Sequence, residues 1–198
     1  ARCVAAYIVR NKKPARKMFT IETLAGIIKG TANGQIARVQ LSPLSGYEPE
    51  IAIDVNGRVL HVSYIDTGVP HAIVFVEGLE GIDVAGIGCV IRYHNRFQPR
   101  GTNVDFVEQV NEDLVSVRTY ERGVEDETKA CGTGSVAAAI VAYLRANPDA
   151  REKKAARMNV RTASGEVLEV TFDIKGGEVA NVWLKGSANF IARGEYYV

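Results

Sequence analysis

Cysteine is scarce in this 198-residue chain: there are three, and they follow no regular spacing. An odd, scattered set of thiols does not build a disulfide framework; it fits a reducing, cytoplasmic compartment. No Cys or His pair stands at metal-ligand spacing, so no metal is expected. Apolar runs of the ~20 residues that a membrane-crossing helix needs are missing, so no membrane partner is expected. Charge of one sign is missing too. The 24 Lys and Arg stand against 23 Asp and Glu, a net charge of +1, which offers nucleic acid no field to bind. The one basic run, residues 12–17, has no aromatic or Gly-rich company and reads as a solvated loop. Nor is there a nucleotide loop, because Gly132-Thr133-Gly134 lacks the further glycine or the Lys-Ser/Thr of phosphate motifs. What remains is a chain with 46% hydrophobic residues, long enough to fold around a sizeable core.

The most informative segment is Ala130-Cys131-Gly132-Thr133-Gly134-Ser135, followed by Val136-Ala137-Ala138-Ala139-Ile140-Val141-Ala142-Tyr143. The Ala/Ile/Val run predicts a helix that is apolar all round and therefore buried, and the glycines before it let the backbone turn sharply and approach a ligand. The first amides of a helix have no partners inside it, and the peptide dipoles are positive at that end. Cys131 is therefore expected to lean towards thiolate, the form that acts as base or nucleophile. An isolated Cys is more often a small packed hydrophobe; the two glycines and the helix behind them favour the functional reading.

The pattern occurs twice. Residues 1–10 resemble residues 135–144, each an Ala/Val-rich helix ended by a polar segment and a proline, Pro14 in one case and Pro148 in the other. Each is followed by hairpin-like segments, one passing through Asn33-Gly34 and the other through Gly176-Gly177. A repeat of this size implies two lobes of one architecture. Aligning Ala1 with Ser135 puts the counterpart of Cys131 four residues before Ala1.

Thr119-Tyr120-Glu121-Arg122-Gly123 followed by Ala130-Cys131-Gly132-Thr133-Gly134 resembles the signature of the diaminopimelate epimerase family, and Ala1-Arg2-Cys3 resembles the tail of that family's other signature, Cys-Gly-Asn-Gly-Ala-Arg-Cys. Residues 66–71 and 101–106 fall where the family carries pocket segments. The resemblance runs in order along essentially the whole chain. It implies a cofactor-independent epimerase that interconverts LL- and meso-diaminopimelate on the route to lysine and peptidoglycan, working as a homodimer. Proline racemases and phenazine-pathway isomerases share the fold and are the enzymatic alternatives. A non-catalytic amino-acid-binding fragment, lacking the second thiol, is the other.

Inverting an α-carbon needs a base on one face and an acid on the other, which two thiols, one per lobe, would supply. By the resemblance, Cys131 is the thiol of the second lobe, and Gly132 and Thr133 give the amide donors for the reacting carboxylate. Arg122 and Asn103 would hold the distal carboxylate. Glu121 and His71 would set the protonation of the thiols. Without the resemblance, Glu121-Arg122 would read as a solvated surface pair, Asn103 as a turn residue and His71 as structural. Cys3 and Cys89 are read as core. Two positions depart from the family: Val69 stands where many members carry Asn, and residues 124–128 form a loop one residue longer than the common form.

The fold expected is α+β, with two similar lobes, each a strongly curved, mainly antiparallel sheet around a central helix. Alternating runs at 50–55, 59–65, 71–76, 105–111, 115–120 and 167–174 are the predicted strands. The first lobe is expected at residues 1–42 plus 189–198, the latter a returning strand, and the second at 43–188. That first lobe would lack its opening strands, so a preceding segment of the same polypeptide, carrying the partner thiol, is expected.

Overall fold

The computed structural model describes residues 1–12, 14, 18–23, 26–192 and 194. A helix, α1 (Arg2–Lys12), leads into three antiparallel strands, β1 (Phe19–Thr23), β2 (Gly26–Asn33) and β3 (Ile36–Gln40). A long hairpin follows, β4 (Ser45–Val55) and β5 (Arg58–Asp66), and then β6 (Pro70–Phe75). The hairpin turns at Asn56-Gly57, both with positive φ (55° and 79°), the conformation that an Asn-Gly pair adopts at little cost. Helix α2 (Val84–Tyr93) leads to β7 (Asn103–Asn111), β8 (Leu114–Glu121) and the short β9 (Asp126–Thr128). Helix α3 (Gly132–Ala146) precedes β10 (Glu152–Thr162), β11 (Val167–Lys175) and β12 (Glu178–Ser187).

All these strands join one twelve-stranded sheet, in the order β1-β2-β3-β12-β11-β10-β8-β7-β6-β5-β4, with β9 attached to β8. Among the described residues every pairing is antiparallel except two, β6 with β7 and β8 with β10. Each parallel pair is spanned by a helix, α2 in the first and α3 in the second, as a parallel connection requires. The sheet curls around α3, which lies against β5, β6, β7, β8, β10 and β11. Residues 134–142 of that helix are all buried, so it is the apolar rod of the main core. A second core forms on the other face, where α2 covers β4, β7 and β8 with Val84 and Ile91 against Ile53, Val104 and Phe106. Among the described residues no helix is long and apolar enough to cross a membrane.

The six expected strands and the helix after Cys131 are present. Two readings need correction. Cys3 is exposed rather than core, because α1 turns only Ala5 and Ala6 fully inward and presents Cys3, Val4 and Tyr7 outward. Residues 189–192, expected to be a strand, carry no regular structure, and much of the remaining expected strand lies outside the described residues. Helix α2 was not anticipated. Gly86 and Gly88 hide its propensity, yet both have a reason: a Cβ on Gly88 would come within 2.5 Å of Tyr120 Cβ, and one on Gly86 would collide with the capping Asp83 carboxylate, which accepts the Gly86 N–H at 2.9 Å.

Candidate active site

The site grows from the ends of four neighbouring elements: the starts of β6 and β7, the end of β8 and the N-terminus of α3. Parallel pairing sets His71 beside Asn103 and Ile73 beside Asp105, and the next, antiparallel pairing sets Asp105 opposite Thr119. Successive register thus delivers His71, Asn103, Asp105 and Thr119 to one patch, all of them buried.

Cys131 is the N-cap of α3. Its Sγ accepts the Gly134 N–H and lies beside Thr133 Oγ1, each at 3.4 Å, while its carbonyl accepts Ser135 N–H at 2.9 Å and Ser135 Oγ–H at 2.8 Å. The amides of Gly132 and Thr133 have no acceptor among the described residues, which leaves them free for a carboxylate. Gly134 admits no side chain, because a Cβ there would collide with Asp105 Oδ1.

The expected lean of Cys131 towards thiolate is not what the site produces. The residue is 8% exposed, and burial pushes its thiol up to about 11. The Asp105 and Glu121 carboxylates push the same way, against the Thr133 hydroxyl and the Gly134 amide, which favour the thiolate. Desolvation and two carboxylates outweigh one helix terminus, so the resting group is a thiol.

Around it, His71 Nδ1 lies 2.7 Å from Asp105 Oδ2, both side chains fully buried, and Thr119 Oγ1–H donates to Asp105 Oδ1 at 2.7 Å. The Asn103 carboxamide donates to Pro70 O at 3.2 Å and accepts the Arg122 backbone N–H at 2.8 Å. The Arg122 guanidinium donates to Arg100 O at 2.9 Å, and Arg100 pairs with Asp66 at 3.1 Å, tying the β5–β6 turn to the segment before β7. Glu121 ends β8, and among the described residues its carboxylate has no hydrogen-bond partner. The longer loop after it is anchored by Arg92–Glu125 at 3.0 Å and Arg118–Glu127 at 2.7 Å.

The structure thus gathers Cys131, Gly132, Thr133, Glu121, Arg122, Asn103 and His71 at one end of α3. Cys89 is half-buried against the second core, away from this patch. Sequence reasoning missed Asp105 and Thr119. A carboxylate alternating into the apolar run of β7 was the available signal, since a buried Asp demands donors.

A family model described as diaminopimelate epimerase matches residues 63–191, a range that contains every residue named in the patch. The diaminopimelate epimerase of Aquifex aeolicus is 43% identical over 196 residues, covering 98% of this chain and 67% of the relative. That of Chlorobaculum tepidum is 42% identical over 183 residues, covering 92% and 66%, and that of a Hydrogenobaculum species is 38% identical over 176 residues, covering 87% and 61%. The chain therefore spans about two thirds of the length of the relatives it matches. Among solved structures, a probable proline racemase from Agrobacterium radiobacter superposes with a TM-score of 0.68 at 19% identity, covering 94% of this chain and 63% of the other. A PhzF-family phenazine biosynthesis protein from Bacillus anthracis gives 0.67 at 17%, covering 97% and 73%. At those identities the likeness is one of fold.

Proposed function

Because the chain belongs to the diaminopimelate epimerase family, we propose that it forms the Cys131 half of an epimerase that inverts one α-carbon of diaminopimelate without a cofactor. The observation that carries this reading is the placement of a buried thiol at the mouth of α3, beside two unpaired amides and within one patch with Asn103, Glu121 and Arg122.

In this reading the α-carboxylate sits on the Gly132 and Thr133 amides, where the helix terminus stabilises the negative charge that develops as the α-proton leaves. A base on the far face takes that proton, and the electron pair stays on the α-carbon and its carboxylate. Cys131 gives its S–H proton to the near face, so the carbon is inverted and the charge moves to sulfur. A resting thiol is the form this step requires. The reverse reaction runs the same path backwards with Cys131 as thiolate. Arg122 and Asn103 hold the distal carboxylate, and Glu121 and His71 tune the thiol. The opposing base is a second thiol supplied by polypeptide beyond these 198 residues, in a lobe to which α1 and β1–β3 belong. The relatives' greater length supports that source. Three free cysteines suit a reducing cytoplasm.

The test is deuterium uptake at the α-carbon of LL-diaminopimelate in heavy water, catalysed by the full-length polypeptide that carries this chain. Uptake with diaminopimelate and none with proline is the expected result. Tight binding without exchange would overturn the epimerase in favour of a binding module, and exchange of proline would favour a racemase of monocarboxylates. Arg122→Ala separates the enzymes further: it should raise KM for the diacid strongly, and an unchanged KM would remove Arg122 from the distal end.

A further inference from the structure

The Asn103 carboxamide has one possible orientation. Its oxygen accepts the Arg122 backbone N–H and its nitrogen donates to the Pro70 carbonyl, and turning it over would set donor against donor at one end and acceptor against acceptor at the other. The remaining Asn103 N–H faces His71 Nε2 at 3.5 Å. A lone pair on that nitrogen is what this N–H meets best, which assigns the imidazole proton to Nδ1, hydrogen-bonded to Asp105 Oδ2 at 2.7 Å. Asp105 Oδ1 accepts a hydrogen bond from the Thr119 hydroxyl at 2.7 Å. Each group has one consistent role, and the chain of roles ends on the carboxylate.

That carboxylate also touches the other end of the site. A Cβ on Gly134 would collide with Asp105 Oδ1 and would lie 3.3 Å from Cys131 Cβ, so the carboxylate and the thiol residue flank one backbone position in the first turn of α3. The carboxylate is wholly buried.

We propose that Asp105 is a positioning residue: packed against the Gly134 position of α3, it locks His71 as the neutral Nδ1–H tautomer, which fixes Asn103 and the Arg122 backbone, so that one hydrogen-bonded unit reaches from the first turn of α3 to the distal-carboxylate end. His71 then also transmits orientation from β7 to the β8 end, beside its part in tuning the thiol. The kinetic part rests on the epimerase reading; the tautomer part does not.

The test combines ¹⁵N-histidine spectra of the full-length protein near pH 7, with His71 assigned by His71→Gln, and steady-state kinetics. The wild type should show His71 neutral with the proton on Nδ1. Asp105→Ala removes the acceptor, and should release His71 to the Nε2–H form and raise KM for diaminopimelate by about 10–100-fold, the range seen when a supporting partner of a site residue is lost, with a smaller change in kcat. Asp105→Asn should restore the Nδ1–H tautomer and most of the KM, because the Thr119 hydroxyl can reverse its role and let the amide oxygen stay on His71. An imidazolium or an Nε2–H His71 in the wild type would overturn the proposal, as would Asp105→Ala with an unaltered tautomer. If Asp105→Ala does not fold, the wild-type spectrum and Asp105→Asn still decide. A wild type with the expected tautomer and no turnover would sink the epimerase reading and leave the locking role standing.

Discussion

Helices α1 and α3 are written in much the same letters and live in different surroundings. Helix α3 is enclosed by strands of the curled sheet, buried from residue 134 to 142, and holds Cys131 at its mouth. Helix α1 rests mainly on β2, β3 and β12; it inserts Ala5 and Ala6, with Ala5 against Gly30, and leaves Val4 and Tyr7 about half exposed. An Ala/Val-rich pattern specifies that a helix can be approached closely. Whether it is surrounded depends on how many strands the rest of the chain lays around it, and only a surrounded helix can desolvate a thiol at its end.

The widest test of that contrast is catalytic. Cys131→Ala in the full-length protein should reduce α-proton exchange by at least about 10³-fold, within the range that positioned acid–base groups supply, whereas Cys3→Ala should leave it unchanged. Equal loss in both would break the comparison at its root. A second test addresses packing. In the 198-residue chain, Ile140→Ala, at a fully buried position, should lower unfolding free energy by about 2–5 kcal/mol in denaturant titration, and Val4→Ala, on the outer side of α1, by less than about 0.5 kcal/mol.

Thiol chemistry sharpens the same contrast. At pH 8, iodoacetamide should label the exposed Cys3 of the 198-residue chain roughly 10²-fold faster than Cys131, measured peptide by peptide, because only the thiolate reacts and burial holds Cys131 in the protonated form. Comparable rates would show that the site opens freely. The smallest effect is on stability. A thiol whose value is raised in the fold favours the native state fully below its free value of roughly 8.5, and that contribution disappears as pH climbs towards about 11. Between those limits the wild type should lose melting temperature slightly faster than Cys131→Ser.

Much of this was legible beforehand because it is local. The run from Ser135 to Tyr143 has no polar face, and the strands alternate with a period of two, so helix and hairpins follow from neighbours in the chain. The residues that escaped notice are those whose meaning is not local. Asp105 lies 34 residues from His71 and 14 from Thr119, and the three meet only through strand register. Helix α2 was obscured by the glycines that let it sit against Tyr120. The lean of Cys131 was misjudged because the helix terminus is visible in sequence, whereas the burial that opposes it, joined by the Asp105 and Glu121 carboxylates, is not.

The parallel pairing of β8 with β10 has a consequence for the order of assembly. The two strands meet across the segment that contains α3, so their pairing and the docking of that helix depend on each other. Pairing and docking are then one cooperative event, and the amides of residues 136–142 should exchange with solvent only through global opening. Cys131 shares that fate: the thiol acquires its environment in the same step in which the molecule acquires its core.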